Sequence, residues 1–398
     1  MNNLKPKQLQ RVTLQSQGLT KTNPFGEGKK AVLSALEHLG YVQIDTLSVV
    51  ERAHHHTFWT RVPDYRAEYL EQLVAERKVF EYWFHAASYL PMKDFRFALP
   101  QKLRFKRGEI QHYRNVDSKV LDYVNDVIRI EGPQKARDFK SPNKKPGSWW
   151  NWKPAKIALE KLFMQGDLMI SGRNGMEKIY DLPERVLPSS VNTTEPSPLE
   201  FAEYLVNTYL RAYGVTTIKQ ITHLRTGKAL RTDVEQVLQT MLETEAVTQV
   251  NIDGMHTLFA NTTLLENPIK KPPSSVRILS PFDNSIIHRD RVNQLFDFDF
   301  RLECYTPREK REYGYFCLPI LFGEEFIGRV DCKAHRKNGK FEIIQLHIEE
   351  RHKNIELWLE PLVKTMQQFV VFNDCQSIEL SKTNSSELTR ILKQALNL

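Results

Sequence analysis

The sequence predicts an α+β protein: three tandem winged-helix units followed by a small antiparallel β-barrel. Three observations lead there. A helix-to-strand joint with apolar residues at i, i+3 and i+9 occurs three times, at Leu70/Leu73/Val79, Leu159/Leu162/Leu168 and Leu238/Met241/Val247. Two of the copies follow the same amphipathic helix, Val124-Asn125-x-x-Ile128-Arg129-x-x-Gly132 and Val206-Asn207-x-x-Leu210-Arg211-x-x-Gly214, each closed by the glycine that suits a left-handed helix terminus. After residue 275 the pattern changes to runs rich in Tyr, Phe, Ile and Val.

Each joint places two apolar residues on one helix face, then a polar elbow (AERK, MQGD, ETEA), then an extended run. The second copy continues as LMISGRNGMEKIYDL, two short strands around a glycine turn, and the third as VTQVNIDGMHTLFA with Asp253-Gly254 at the turn. Helix, short helix, longer helix and hairpin is the winged variant of helix-turn-helix. Pro196 to Pro198 and Asn267 to Ser275 read as linkers. Beyond them lies the expected β-meander, with turns at Pro307, Gly323 and Asn338-Gly339, closed by an amphipathic helix from about Ile355 to Phe372. The expected segments are 1–115, 116–195 and 196–268 for the winged helices and 269–398 for the β-domain.

The bulk properties agree. A chain of 398 residues, 41% hydrophobic and 26% charged with mean hydropathy −0.47, has an ordinary globular composition and more length than one core uses. No stretch approaches the ~18 apolar residues of a membrane span, and MNNLKPKQLQRVTLQSQGL lacks a secretory pattern. Cys304, Cys317, Cys332 and Cys375 show no C-x-x-C pair, which fits free thiols in a reducing cytosol. The expected location is cytoplasmic and nucleoid-associated, with no membrane partner. A net charge of +8 and pI near 9.1 favour a polyanionic partner without naming one.

The basic residues cluster. One group includes Lys102, Arg104, Lys106 and Arg107, a second includes Lys144 and Lys145, and the expected hairpin tip of the β-domain carries Arg308, Lys310 and Arg311. Basic loops between DNA-binding-type units supply what a phosphate-tracking groove needs; solvated faces are the alternative. Trp149, Trp150 and Trp152 at a helix start fit core packing better than base stacking. Consecutive His54, His55 and His56 diverge on any regular element and do not form a metal site. No carboxylate pair at nuclease spacing accompanies them.

In LEHLGYVQIDTLSVVERAHH the helix stops at Gly40, and Tyr41-Val42-Gln43-Ile44-Asp45 reads as extended. Residues two apart in a strand share a face, so Gln43 and Asp45 project together while Val42 and Ile44 pack inward. A carboxamide beside a carboxylate can orient a water and stabilise positive charge. A solvated edge, with Asp45 capping a helix from Thr46 onward, accounts for the same residues.

Several motifs together are far more specific. They are Gln17-Gly18-Leu19, Gln43-Ile44-Asp45-Thr46, Glu81-Tyr82-Trp83-x-His85 and Trp149-Trp150-x-Trp152-Lys153-Pro154; Leu279-Ser280-Pro281-Phe282-Asp283 and Leu295-Phe296-Asp297-Phe298; and Arg301-Leu302-Glu303-Cys304-Tyr305-Thr306-Pro307, Tyr313-Gly314-Tyr315-Phe316 and Gly328-Arg329-Val330-Asp331. With these, the chain resembles, essentially end to end, the bacterial winged-helix DNA glycosylases typified by AlkZ and YcaQ, and most closely the YcaQ branch. The resemblance implies three winged helices plus a barrel, and a catalytic Gln-apolar-Asp motif falling on Gln43 and Asp45. It implies release of N7-alkylguanine from double-stranded DNA, including unhooking of interstrand crosslinks, by a monomer without metal or cofactor. Asp45 then activates water and stabilises an oxocarbenium-like sugar, and Gln43 positions that water. A base tied to both strands requires an open cleft. The alternatives are a non-catalytic winged-helix regulator or architectural protein, and, against the ligand inventory, a metal-dependent nuclease.

Overall fold

A computed structural model describes residues 5–110, 112, 116–139, 153–225, 227–251, 257–266 and 271–398, and is a mixture of helices and small sheets. The fold divides into two compact units: residues up to Arg66 together with Leu205–Leu398, and Ala67–Tyr204. Among the described residues no helix is long and apolar enough to cross a membrane.

All three helix-to-strand joints are present. They connect helix Ala67–Ala75 to strand Val79–Trp83, helix Lys153–Gln165 to strand Met169–Asn174, and helix Lys228–Glu243 to strand Val247–Val250. The repeated apolar positions are buried in every copy except Met241, which is half-buried. The elbows share a conformation too. Arg77, Gly166 and Glu245, all at i+7, have φ of +56°, +86° and +57°. Only one is glycine, so the helix-end geometry that returns the chain toward its own last turn is imposed on two ordinary residues at modest strain. In each copy the strand then pairs antiparallel with the next one: Val79–Trp83 with Ala87–Pro91, Met169–Asn174 with Glu177–Asp181, and Val247–Val250 with Leu258–Asn261. In the second and third copies a short strand preceding the helices, Gln134–Lys135 or Val215–Thr216, joins the hairpin as a third strand. The Asp253-Gly254 turn lies outside the described residues.

The β-domain differs from expectation. Strands Val276–Ile278, Cys317–Phe322, Glu325–His335, Lys340–Ile348 and Ser377–Thr383 form one sheet in that order. Its first four strands are antiparallel, and the last is parallel to Lys340–Ile348. This sheet is open and layered, so the expected closed antiparallel barrel is corrected. The parallel strand needs a crossover, supplied by helix Leu359–Phe372. That helix and Ser386–Leu396 cover one face, where Leu318, Ile320, Val330 and Ile343 meet Leu362, Met366, Phe369 and Leu392. The opposite face, with Cys317, Leu321 and Phe326, packs on Leu9 and Val12 of helix Pro6–Ser16 and on Phe296, Phe298 and Phe300. A sheet with helical cover on both faces buries its apolar residues without curling on itself.

Candidate catalytic motif and nucleic-acid interface

Helix Gly28–Leu39 ends at Gly40 (φ +80°), whose amide donates to Leu36 O at 2.8 Å. A Cβ there would lie 2.4 Å from Thr208 Cγ2, so glycine is required by space as well as by φ. The chain emerges as strand Val42–Gln43. Tyr41 O accepts from Asn284 Nδ2 at 3.0 Å, and the Tyr41 hydroxyl meets that of Tyr213 at 2.9 Å. Burial alternates: Val42 and Ile44 are buried, while Gln43 and Asp45 are half-buried. The burial alternation is the expected one, but the strand itself ends at Gln43, and Asp45 lies beyond it at the start of the following turn.

Asp45 Oδ1 accepts the Leu47 amide at 2.7 Å, a side-chain-closed turn. No helix begins at Thr46; the next one is Ala53–Trp59. Asp45 shapes a turn and caps no helix. Beyond it the chain lies on the C-terminal sheet. Val49 O accepts the Ala334 amide at 2.9 Å, the Glu51 amide donates to Asn373 Oδ1 at 2.6 Å, and Leu47 and Val49 pack into the sheet's helix-covered core together with Cys304. Burial raises the Asp45 carboxyl above the ordinary carboxylate range, opposed by the Leu47 amide. Its charge reaches Cys304, whose thiol is pushed up by burial and then by Asp45. A partly desolvated anion of this kind is suited to accepting a proton from water and to opposing positive charge.

The segment beside Asp45 is a short 3₁₀ turn, Glu303–Tyr305, followed by a second, Arg308–Lys310. The Glu303 carboxylate accepts the amides of Glu312, Tyr313 and Gly314 at 3.0, 2.9 and 3.0 Å. Burial pulls its carboxyl up, yet these three donors outweigh it and hold the pKa below the usual range. Asp331 takes the amides of Tyr315 and Phe316 at 2.9 and 3.0 Å. Gly314 sits at φ +139°, and a Cβ there would come within 2.1 Å of Asp331 Oδ2. Two of the sequence motifs, at 301–307 and 328–331, thus form a carboxylate clamp around the loop 306–316.

The basic residues fare unequally. Lys102, expected at the phosphate-facing surface, is buried, and this is a correction. Its Nζ sits 3.9 Å from the Tyr82 ring centroid, with Phe95 and Phe163 at 5.7 and 5.6 Å, and burial pushes its ammonium down to about 7. Helix Leu99–Lys106 points Lys102 and Phe105, three apart, into the interior. Arg104, Lys106 and Arg107 are exposed, but each reaches an acid: Glu109 at 3.3 Å, Asp167 at 2.6 Å and Glu195 at 3.5 Å. Lys144 and Lys145, like Trp149, Trp150 and Trp152, lie outside the described residues. Arg308 and Lys310 are exposed, and among the described residues neither pairs with a carboxylate. The expected hairpin tip is corrected to the clamped 3₁₀ loop. Within it Arg311 is half-buried, donating to Thr306 O at 2.8 Å and lying 4.9 Å over the Tyr315 ring.

The histidine run is built into the core. His56 Nε2 lies 2.8 Å from Ile278 O among Trp59, Phe369 and Phe372, and His55 meets the Tyr65 hydroxyl at 2.6 Å. Among the described residues no group of three His, Cys, Asp or Glu is placed to hold a metal. In the Ala67–Tyr204 unit, Glu81 pairs with Arg173 at 2.6 and 2.7 Å, and Tyr82, Trp83, Phe105 and Phe163 line a cavity of about 350 Å³.

Sequence reasoning missed Arg61. Its guanidinium is fully buried, bonds both Asp283 oxygens at 2.6 and 2.9 Å, and donates to Gln17 O at 2.8 Å. The motifs holding Gln17 and Asp283 were visible; the arginine that unites them follows Trp59-Thr60 without any local signal.

A family model described as DNA glycosylase AlkZ-like matches residues 36–364. Among solved structures the fold is similar to that of the Streptomyces sahachiroi DNA glycosylase AlkZ, with TM-score 0.64 and 14% identity over 96% of this chain and 100% of that one. With most of its length inside the family match, the chain belongs to the AlkZ-like DNA glycosylase family.

Proposed function

We propose that this chain is a YcaQ-like, monomeric and monofunctional glycosylase that releases N7-alkylguanine from duplex DNA and unhooks crosslinks joined through guanine N7. Its three winged helices, at 1–115, 116–195 and 196–268, and its C-terminal segment, at 269–398, hold the DNA. The observation carrying the reading is the half-buried Asp45, two residues beyond Gln43 in an alternately buried segment, seated on the same core as a loop that presents exposed Arg308 and Lys310.

N7-alkylguanine already carries positive charge. When the C1′–N9 bond breaks, its electron pair neutralises the base, so the leaving group needs no strong acid. The developing oxocarbenium is stabilised by the Asp45 anion; a water held by Gln43 attacks C1′ and passes its proton to Asp45. No step calls for a metal.

The test uses one duplex with N7-methylguanine and one with a guanine N7–N7 crosslink, both in EDTA. Base release by the wild type, lost by at least about 100-fold in Asp45→Asn with DNA affinity retained, is the expected result. Tight binding without release from either duplex overturns the reading in favour of a non-catalytic DNA-binding protein. Release abolished by EDTA removes the metal-independent mechanism.

A further inference from the structure

We infer that Tyr305 is the aromatic platform of this site, stacking on a nucleobase exposed at the lesion beside Asp45. The inference rests on the glycosylase reading of Gln43 and Asp45 and assigns a residue to base recognition there.

Tyr305 is 82% exposed, although its neighbours Leu302 and Glu303 are buried. An exposed aromatic ring on a loose loop needs no explanation. This one is held rigidly. Glu303, at the start of the same 3₁₀ turn, is fixed by the amides of Glu312, Tyr313 and Gly314, and the Thr306 carbonyl is held by Arg311. Cys304, between Glu303 and Tyr305, packs into the same core cluster as Leu47 and Val49, so the turn and the Asp45 segment are seated on one piece of structure. The Asp45 charge acts on the Tyr305 phenol as well, after Cys304 and burial.

The chemistry of the partner follows from the surroundings. Arg308 and Lys310, exposed on the next turn, suit phosphates on either side of a base, while the phenol ring offers a flat apolar face with a polar tip. A ring on a fixed support loses little entropy on stacking. In an open cleft, where the base is not enclosed, such a platform supplies the contact that a closed pocket would otherwise make.

The experiment compares wild type, Tyr305→Ala, Tyr305→Leu and Tyr305→Phe in single-turnover release of N7-methylguanine. A second readout is 2-aminopurine fluorescence in an uncleavable duplex, with 2-aminopurine opposite a tetrahydrofuran abasic analogue. Tyr305→Ala and Tyr305→Leu are expected to slow release by about 5- to 150-fold, the span of one base–aromatic stack, and to lose the quenching that wild type produces. Tyr305→Phe should recover most of both. Thermal unfolding checks that the fold is intact. Wild-type release and quenching in Tyr305→Ala overturn the inference even where Asp45→Asn is inactive. Quenching that depends on Tyr305 in a protein that releases no base keeps the platform and removes the glycosylase reading.

Discussion

At the scale of single residues, Asp45 determines the expected pH response. Its ionised form is the one that accepts a proton, and burial has raised its pKa. Base release should therefore decline on acidification earlier than an ordinary carboxylate would dictate, as a pH–rate profile on N7-methylguanine DNA will show. The same shift has a consequence for stability. A carboxyl whose folded pKa is raised contributes most when protonated, and that contribution is lost as pH rises through the folded pKa. Asp45→Asn keeps an oxygen for the Leu47 amide and removes the half-buried charge, so its melting temperature at neutral pH should equal or exceed that of the wild type while activity disappears. A melting temperature clearly below wild type contradicts this account.

At the scale of elements, two local devices place the site. The Gly40 turn aims the strand. Gly40→Ala costs about 1–2 kcal/mol for the left-handed backbone alone, with the clash against Thr208 added. Thr208→Ala should relieve only the clash, so a double-mutant cycle read by denaturant unfolding separates the two. The second device is the Glu303 clamp. Its folded pKa is lowered, so its stabilisation is present above the usual glutamate range and lost as pH falls through the lowered value. Glu303→Gln weakens three charge-assisted bonds, worth about 1.5–3 kcal/mol each at most. Hydrogen exchange at the amides of residues 312–314 should accelerate by about 10-fold or more while the sheet stays protected.

At the scale of the whole molecule, Arg61 joins the N-terminal turn at Gln17, the helix Ala53–Trp59 and the Asp283 turn of the C-terminal segment, residues more than 200 apart in sequence. Burial raises the Asp283 carboxyl, but Arg61 and Ser285 overcome it and hold its pKa low. Removing one partner of such a pair costs about 3–5 kcal/mol, because a buried charge is stranded. Arg61→Met should therefore unfold at much lower denaturant. It should also become less stable as pH rises through the carboxylate range, since Asp283 without its partner favours the protonated state. Arg61→Met with Asp283→Asn should recover part of the loss and abolish that pH dependence.

The sequence by itself determined the local pattern. The i, i+3, i+9 spacing located three helix-to-strand joints because apolar periodicity reports which face is buried. Alternation likewise put Val42 and Ile44 in the interior and left Gln43 and Asp45 half-buried, although the strand stops at Gln43. The family too was legible, through motifs whose roles were not: Glu303, Asp331 and Asp283 stood in the resemblance without a stated task. Tertiary structure decided what depends on partners distant in sequence. Lys102 reads as one of four basic residues between positions 102 and 107, and only packing against Tyr82, Phe95 and Phe163 takes it out of reach of a phosphate. The meander reads as a barrel, and strand periodicity cannot correct that reading, since it is the same in a barrel and in a layered sheet. Helices covering both faces, and a parallel last strand brought in by a crossover, selected the open sheet. The turn holding Tyr305 and the segment holding Asp45 come onto one core in the same way, because Cys304 and Leu47, more than 250 residues apart, pack together only when that core has formed.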